Sequence, residues 1–450
     1  MDRRLFMLLA AAGIVDPGRN PMPGVGPEPG QSTPGEVVDG APAPSGDPAF
    51  DAWLQSFFQR SATAGWSVEV LRRELGGLTP DPRVIALDGR QPELSKPIGD
   101  YMRTAVSDRN VALGRDKLAD AQAWMPAVAD RFGVPPQILT AIWGEESAYG
   151  AAQGDMDVIR SLASLASNGR RRDWAEGQIW DALRMITTGA VTRAQMKGSW
   201  AGAMGQTQLI PEAYLANAVD GDGDGRADIW NSAADAVASA ANMLQKYGWR
   251  RGGGWAREVQ LPAGFDYSVA EGPQQTAAEW ALDGVRAASG ADWSEADANA
   301  PAQLIVPAGA RGPAFLVLPN HFIIRKYNNS TSYALAVGLL ADRIAGAPPL
   351  LAAWPVEPAL SSQDRIGAQQ ALAALGFSPG TADGVIGLNT RAAIRAWQKA
   401  RGLPADGYLT AALSQQLQAE AGPRAQDQAQ GSAAQGPATQ GPAESPATGN

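Results

Sequence analysis

"VPPQILTAIWGEESAYG" (residues 134–150) sets two adjacent glutamates, Glu145 and Glu146, inside an otherwise apolar run. Pro135 and Pro136 suit the start of a helix, where the donor that proline lacks would go unsatisfied anyway. Projected at about 100° per residue, Ile138, Ile142 and Tyr149 share one face, which Leu139 and Trp143 extend to one side. Glu146 falls near the middle of this sector and Glu145 at its edge. A carboxyl among Ile, Leu and Trp loses hydration, so its pKa rises and it keeps its proton at neutral pH, as a general acid requires. Glu146 is therefore the candidate acid and Glu145 a solvated neighbour, although a buried glutamate can also be structural and paired. "SAYG" ends the helix at Gly150 and leaves Glu146 near a cleft rim.

The rest of the composition narrows the chemistry to carboxylates. The chain has 450 residues, enough for more than one domain. It carries no cysteine and one histidine, His321. Thiol nucleophiles, thiolate zinc sites and disulfides are impossible, and a Ser-His-Asp triad would rest on His321 alone. "VLPNHFIIRKY" makes His321 a core residue by its apolar neighbours. A net charge of −9 argues against nucleic acid. Most glycosidases use two carboxylates, but no equally placed partner for Glu146 is visible. Asp155 and Asp157 in "QGDMDVIR" read as surface loop residues.

"MDRRLFMLLAAAGIV" (1–15) has two arginines before an apolar stretch too short to span a bilayer, which suits a secretory signal segment; a merely apolar N-terminus is the alternative. Without cysteine, a lipoprotein anchor is excluded, so the expected location is periplasmic. Residues 16–47, rich in Pro and Gly, read as a linker. From 48 to 349 helical periodicity dominates, as in "SAADAVASAANMLQKYG", where Ser232 and Asp235 suggest a capping box. Short β-prone runs come late: "AQLIVPA" and "AFLVLP", followed by "FIIRKY". The proline-marked stretch 350–364 reads as a hinge, and 365–420 as a small three-helix module with two Asp-Gly turns, at Asp383 and Asp406. The low-complexity 421–450 reads as a disordered tail.

"VDGDGDGRADIWN" (219–231) follows the order of an EF-hand loop. Asp220, Asp222, Asp224 and Asp228 stand at the oxygen-ligand positions, with the Arg226 carbonyl between and Gly225 at the sharp turn. Asn231 replaces the bidentate glutamate, so a structural calcium ion held weakly or moderately is expected, with a metal-free acidic turn as the alternative.

Four stretches in order, "IWGEESAYG", "KGSWAGAMGQTQLIPEAY", "VDGDGDGRADIWNSAADAVASAANML" and "LPNHFIIRKYNNSTSYALAVGLLADRI", resemble the lytic murein transglycosylase B family over roughly residues 50–346. The resemblance implies a mainly α, lysozyme-like catalytic domain with an EF-hand-like loop and a small strand element. It implies cleavage of the MurNAc–GlcNAc bond of peptidoglycan, leaving a 1,6-anhydro-MurNAc end without adding water. The family's "GVET" segment maps its single catalytic glutamate onto Glu146, with Glu145 where an apolar residue is usual and Ala148 where arginine is common. Ser199 is the residue implied to hold that glutamate by a hydrogen bond, and Gln208, Tyr327 and Asn328 are implied to line the sugar cleft. The same glutamate acts as acid on the glycosidic oxygen and then as base toward the C6 hydroxyl, whose internal attack has a high effective concentration and needs no water-positioning base. Residues 365–420 resemble a small peptidoglycan-binding module, with Gln369, Leu372, Phe377, Thr390, Ile394, Trp397 and Gln398 at its motif positions. The implied partners are peptidoglycan glycan strands, with cell-wall synthesis or division proteins as further candidates, for a monomer with no cofactor in its chemistry. A hydrolytic muramidase and a catalytically inactive wall-binding protein are the alternatives.

Overall fold

Residues 42–88 and 96–422 are described in this computed structural model. The segment 1–15, nearly all of the 16–47 linker and residues 423–450 of the tail lie outside the described residues. Among the described residues, the α-helices before the glutamate pair are α1 (Pro48–Thr63), α2 (Val68–Leu75), α3 (Pro82–Asp88), α4 (Ile98–Ala105), α5 (Asp108–Asp120) and α6 (Met125–Phe132). Local chemistry starts several of them: Asp47, Ser67 and Ser107 cap α1, α2 and α5 with side-chain oxygens.

Helix α7 (Pro136–Ser147) carries Glu145 and Glu146, with Pro136 in its first turn. Every residue from Ile138 to Ser147 is buried, so α7 has no wet side and runs through the middle of the domain. It ends at Ser147, three residues before the expected Gly150, because Ala148 turns left-handed (φ 49°), as do Tyr149 (φ 61°) and Gly150 (φ 83°). For the two non-glycine residues that conformation costs on the order of 1–3 kcal/mol each, so packing around them must impose it. Gly144 makes the turn possible, since a Cβ there would sit 2.7 Å from the Tyr149 hydroxyl.

A two-residue hairpin, β1 (Met156–Asp157) against β2 (Lys197–Gly198), encloses α8 (Val158–Ser167) and α9 (Arg172–Thr187). Next come α10 (Pro211–Asn217), the acidic loop, and α11 (Ala233–Lys246). Ser232 caps α11 by accepting from the Asp235 N–H, but the Asp235 carboxylate turns to the Gly221 and Asp228 N–H groups. Only half of the expected capping box is therefore formed.

The strand element is a five-stranded antiparallel sheet in the order β4-β6-β7-β3-β5, from β3 (Ala256–Gln260), β4 (Gln275–Thr276), β5 (Arg286–Ala287), β6 (Pro301–Ile305) and β7 (Ala314–Val317). Helices α12 (Ala277–Leu282) and α13 (Glu295–Ala298) lie between its strands in sequence. β7 is buried on both faces. Its Phe315 and Val317 join the main core while Ala314 and Leu316 join a second core, as the two-residue period of a strand dictates. "FIIRKY", grouped with the β-prone runs, is instead helical: Pro319 opens α14 (Pro319–Tyr327) and its preset φ overrides the β-branched composition. Helix α15 (Thr331–Ile344), capped by Ser330, then packs along α7.

The stretch expected to be a hinge is fastened down. The Leu351 and Ala352 N–H groups donate to the Glu258 carboxylate at 2.8 and 2.7 Å, Trp354 stacks on Phe315, and Glu357 pairs with Arg311. Helix α16 (Ser362–Ala374) begins inside that stretch, followed by α17 (Leu388–Ala400) and α18 (Ala411–Ala421). These three surround Trp397, Leu372, Ile394 and Leu417. Each Asp-Gly turn is pinned by a glutamine from the preceding helix: Gln369 accepts from the Gly384 N–H and Gln398 from the Gly407 N–H, both at 2.8 Å. Arg391 and Arg395 of α17 grip Glu271, and Asp406 accepts from the Ala310 N–H at 2.9 Å, so the module is docked on the catalytic body.

Candidate active site

Glu146 is 1% exposed and Glu145 2% exposed, so the expectation of a solvated Glu145 is wrong. A wheel separates wet from dry only when one face meets water, and α7 is covered all round. The two carboxyls diverge. Glu145 Oε2 accepts from the Tyr101 hydroxyl of α4 at 3.0 Å, and Glu146 Oε1 accepts from the Tyr333 hydroxyl of α15 at 2.6 Å. Burial pushes Glu146 up to about 8, opposed by the Tyr333 hydrogen bond and assisted by the charge of Glu145. Burial also pushes Glu145 up to about 7, opposed by the Tyr101 bond. Glu146 Oε2 is enclosed and meets no hydrogen-bond partner in the protein. At neutral pH the geometry therefore presents a protonated carboxyl with one oxygen anchored and the other uncommitted.

Tyr333 in turn lies parallel to Tyr327, rings 6.5 Å apart and 9° from coplanar. The Tyr327 hydroxyl donates to the Thr207 carbonyl at 2.5 Å, which brings the end of α14 onto the 199–209 loop. Asn328 follows as the buried cap of α14. Gln208 adopts a left-handed backbone (φ 51°), and its side-chain amide donates to the Gln153 and Gly205 carbonyls at 3.0 and 2.8 Å. Its Oε1 is buried without a partner.

Ser199 is buried in the same loop, but its hydroxyl accepts from the Ala201 and Ala203 N–H groups, at 3.3 and 3.1 Å. The hydrogen bond on Glu146 that the resemblance assigns to Ser199 is supplied by Tyr333 instead. Gln206 is a residue the sequence did not single out. It accepts from Trp143 Nε1 at 2.9 Å through its side chain and from the Ser147 hydroxyl at 2.5 Å through its carbonyl, clamping the loop onto α7. Tyr101 and Tyr333 were missed for a plain reason: their contacts with the pair span 44 and 187 residues.

His321 is buried against Trp255, and burial pushes its pKa down to about 3, so it is neutral at physiological pH. Asp155 is exposed, whereas Asp157 is not a loose loop residue: it caps α8 through the Arg160 N–H and accepts from Nε and Nη2 of Arg193, both at 2.9 Å.

In the acidic loop, ligand oxygens of Asp220, Asp222 and Asp224 lie within 4.8 Å of one another. Asp220 accepts from the Gly225 and Gly223 N–H groups, which holds its carboxyl below the usual range. Ser232 donates to Asp222 at 2.7 Å. Asp228 is turned to the Trp230 and Asn231 N–H groups and stands outside the three-carboxylate group. Buried Asp235, outside the EF-hand pattern, braces the loop from below. Hard oxygen donors in a glycine-turned loop fit a hard divalent cation such as calcium.

Residues 49–342 match the family described as the transglycosylase SLT domain, and residues 361–417 match a peptidoglycan binding domain family. Membrane-bound lytic murein transglycosylase B of Escherichia coli (strain K12) is 32% identical over 224 residues, 48% of this chain and 58% of that protein, so the match spans little more than half of the curated relative. SltB3 of Pseudomonas aeruginosa, solved in complex with NAG-anhNAM-pentapeptide, is 46% identical, with TM-score 0.78 over 82% of this chain and 100% of that one. Slt35 of Escherichia coli, solved in complex with calcium, is 26% identical, with TM-score 0.57 over 66% of this chain and 93% of that one.

Proposed function

This chain belongs to the transglycosylase SLT domain family, and from that premise we propose that it cleaves the β-1,4 bond between MurNAc and GlcNAc in peptidoglycan without adding water. The observation that carries the reading is Glu146: buried, anchored at Oε1 by Tyr333, with Oε2 facing no protein partner. Oε2 delivers its proton to the glycosidic oxygen as the C1–O bond breaks, and the N-acetyl group of the same MurNAc stabilises the charge at C1. The resulting Glu146 carboxylate, strengthened as a base by burial, takes the proton of the C6 hydroxyl while O6 bonds to C1. The proton returns to Glu146 and a 1,6-anhydro ring closes, so no water is consumed.

Glu145 does not serve as the opposing carboxylate of a hydrolase. Neighbouring helix positions diverge by about 100°, and its oxygen is held by Tyr101, whereas hydrolytic pairs flank the bond from opposite sides. Ser199, Gln208, Tyr327 and Asn328 shape the sugar-binding wall, Ser199 through its loop rather than through the acid. The anhydro-sugar complex of SltB3 supports the same product here. Mass spectrometry of muropeptides released from purified sacculi tests this directly: anhydro-MurNAc ends are expected, and reducing MurNAc ends with a mass of one added water would replace the reading by hydrolysis.

A peptidoglycan substrate supports a location outside the cytoplasm, which we take to be the periplasm, with the α16–α18 module binding the wall. Among the described residues no helix is long and apolar enough to cross a membrane. The acidic loop fits a structural calcium ion, which Asp220, Asp222, Asp224 and the Arg226 carbonyl would hold with Asp228 beside them; the calcium complex of Slt35 supports it. The ion would supply stability and no chemistry. Chelation is expected to lower the melting temperature by about 3–8 °C, reversed by added calcium in scanning fluorimetry; an unmoved melt would remove the site.

A further inference from the structure

Two glutamine side chains at the sugar loop, Gln153 and Gln208, end in an enclosed Oε1 that meets no hydrogen-bond partner among the described residues. We infer that Gln153 is a positioning residue for Gln208: it fixes the Gln208 amide so that its oxygen, not its nitrogen, faces the substrate and reads a hydrogen-bond donor on the sugar. The inference rests on Gln208 lining the sugar cleft, as proposed above.

The orientation of the Gln208 amide is forced by its surroundings. Its Nε2 donates to the Gln153 and Gly205 carbonyls at 3.0 and 2.8 Å. A carbonyl oxygen only accepts, so turning the amide over would set oxygen against oxygen at both contacts. Oε1 therefore points the other way, on a side chain that is buried. A buried acceptor left unpaired is costly, and of the groups a sugar offers only a hydroxyl or an N–H satisfies it. The left-handed backbone of Gln208 (φ 51°), uncommon away from glycine, is held by the same two bonds.

Gln153 stands where three segments join. Its Nε2 donates to the Gly150 carbonyl at 3.2 Å, in the left-handed turn that ends α7. The same nitrogen donates to the Trp230 carbonyl at 3.0 Å, at the exit of the acidic loop. Gln206, which clamps the sugar loop to α7, donates to that Trp230 carbonyl as well, at 3.2 Å. Gly154 lets this segment lie against the sugar loop, since a Cβ there would run into the Gly198 carbonyl. With its side chain spanning the α7 turn and Trp230, Gln153 holds its own main-chain carbonyl in one place, and that carbonyl is the one to which Gln208 donates. Neither glutamine is charged, so the arrangement works by geometry and leaves the acidity of Glu146 alone.

The test is a double-mutant cycle in the full chain, read as KM and kcat on a soluble peptidoglycan fragment. Gln208→Ala is expected to raise KM about 3–10-fold, the worth of one neutral hydrogen bond. Its kcat stays within about twofold, because that bond is made equally before and during the reaction. Gln153→Met keeps the length and loses the N–H donors; it should raise KM by a similar factor, but by less than about twofold once Gln208 is alanine. If Gln153→Met does not fold, Gln153→Glu carries the same cycle. A crystal structure of Glu146→Gln with the fragment bound should place a sugar hydroxyl or N–H about 3 Å from Gln208 Oε1. A KM unmoved by the Gln153 variant, effects that multiply independently, or a sugar carbonyl at Oε1 each overturn the inference and leave Gln208 in the sugar wall. A KM unmoved by Gln208→Ala removes Gln208 from that wall, and the inference with it.

Discussion

Glu146→Gln lowers release of soluble muropeptides from purified sacculi by about 10³-fold or more, since a general acid alone contributes roughly 10²–10⁴ and this one serves in both half-reactions. The substitution is nearly isosteric. Its amide oxygen still accepts from Tyr333, so the cage formed by α4, α7 and α15 keeps its shape. What disappears is the proton on the uncommitted oxygen, where an amide N–H₂ cannot act as an acid. The buried Glu146 carboxyl is already neutral at neutral pH, so a neutral amide of the same shape leaves the burial cost nearly unchanged and the variant melts close to the wild-type temperature. Loss of activity with an intact melt isolates chemistry from folding. A rate within about tenfold of wild type would place the acid elsewhere.

The second large effect lies in the module. Trp397 is fully buried at the centre of α16–α18, with the Arg401 guanidinium 4.3 Å from its ring centroid. Trp397→Ala is expected to cost about 3–5 kcal/mol, against the ~3–9 kcal/mol that a unit of this length holds. Calorimetry should then show a separate transition below that of the catalytic body. Co-sedimentation with sacculi should fall steeply, while turnover of a short soluble glycan changes much less. A single unshifted melt, or undiminished sedimentation, contradicts both the packing and the wall-binding assignment.

Reading the chain alone located α7 and the burial of Glu146 because the signals are local: two prolines at the start and an apolar run around Glu146. The same projection misplaced Glu145, because α7 is covered by α5, α11 and α15, with Tyr101 of α4 on Glu145, none of which the projection of one helix contains. Tyr333 stood inside a recognised stretch without a role, and Ser199 was given the role that Tyr333 fills; distance along the chain hides such pairings. "FIIRKY" is β-branched enough to suggest a strand, and one proline decided otherwise. The prolines of 350–364 marked a break in regular structure correctly, but they say nothing of Trp354 stacking on Phe315, which turns a supposed hinge into a strap. The three helices of the module, by contrast, were legible because its turns and their glutamines are close in sequence.

The Tyr333–Glu146 bond closes a loop of 187 residues. A nascent chain that has emerged only as far as α14 already contains the acid, but its carboxyl lacks the anchor and the cover that α15 provides. In such a fragment Glu146 lacks the Tyr333 hydrogen bond, so the arrangement proposed to hold its proton is complete only once the final helix of the domain is in place.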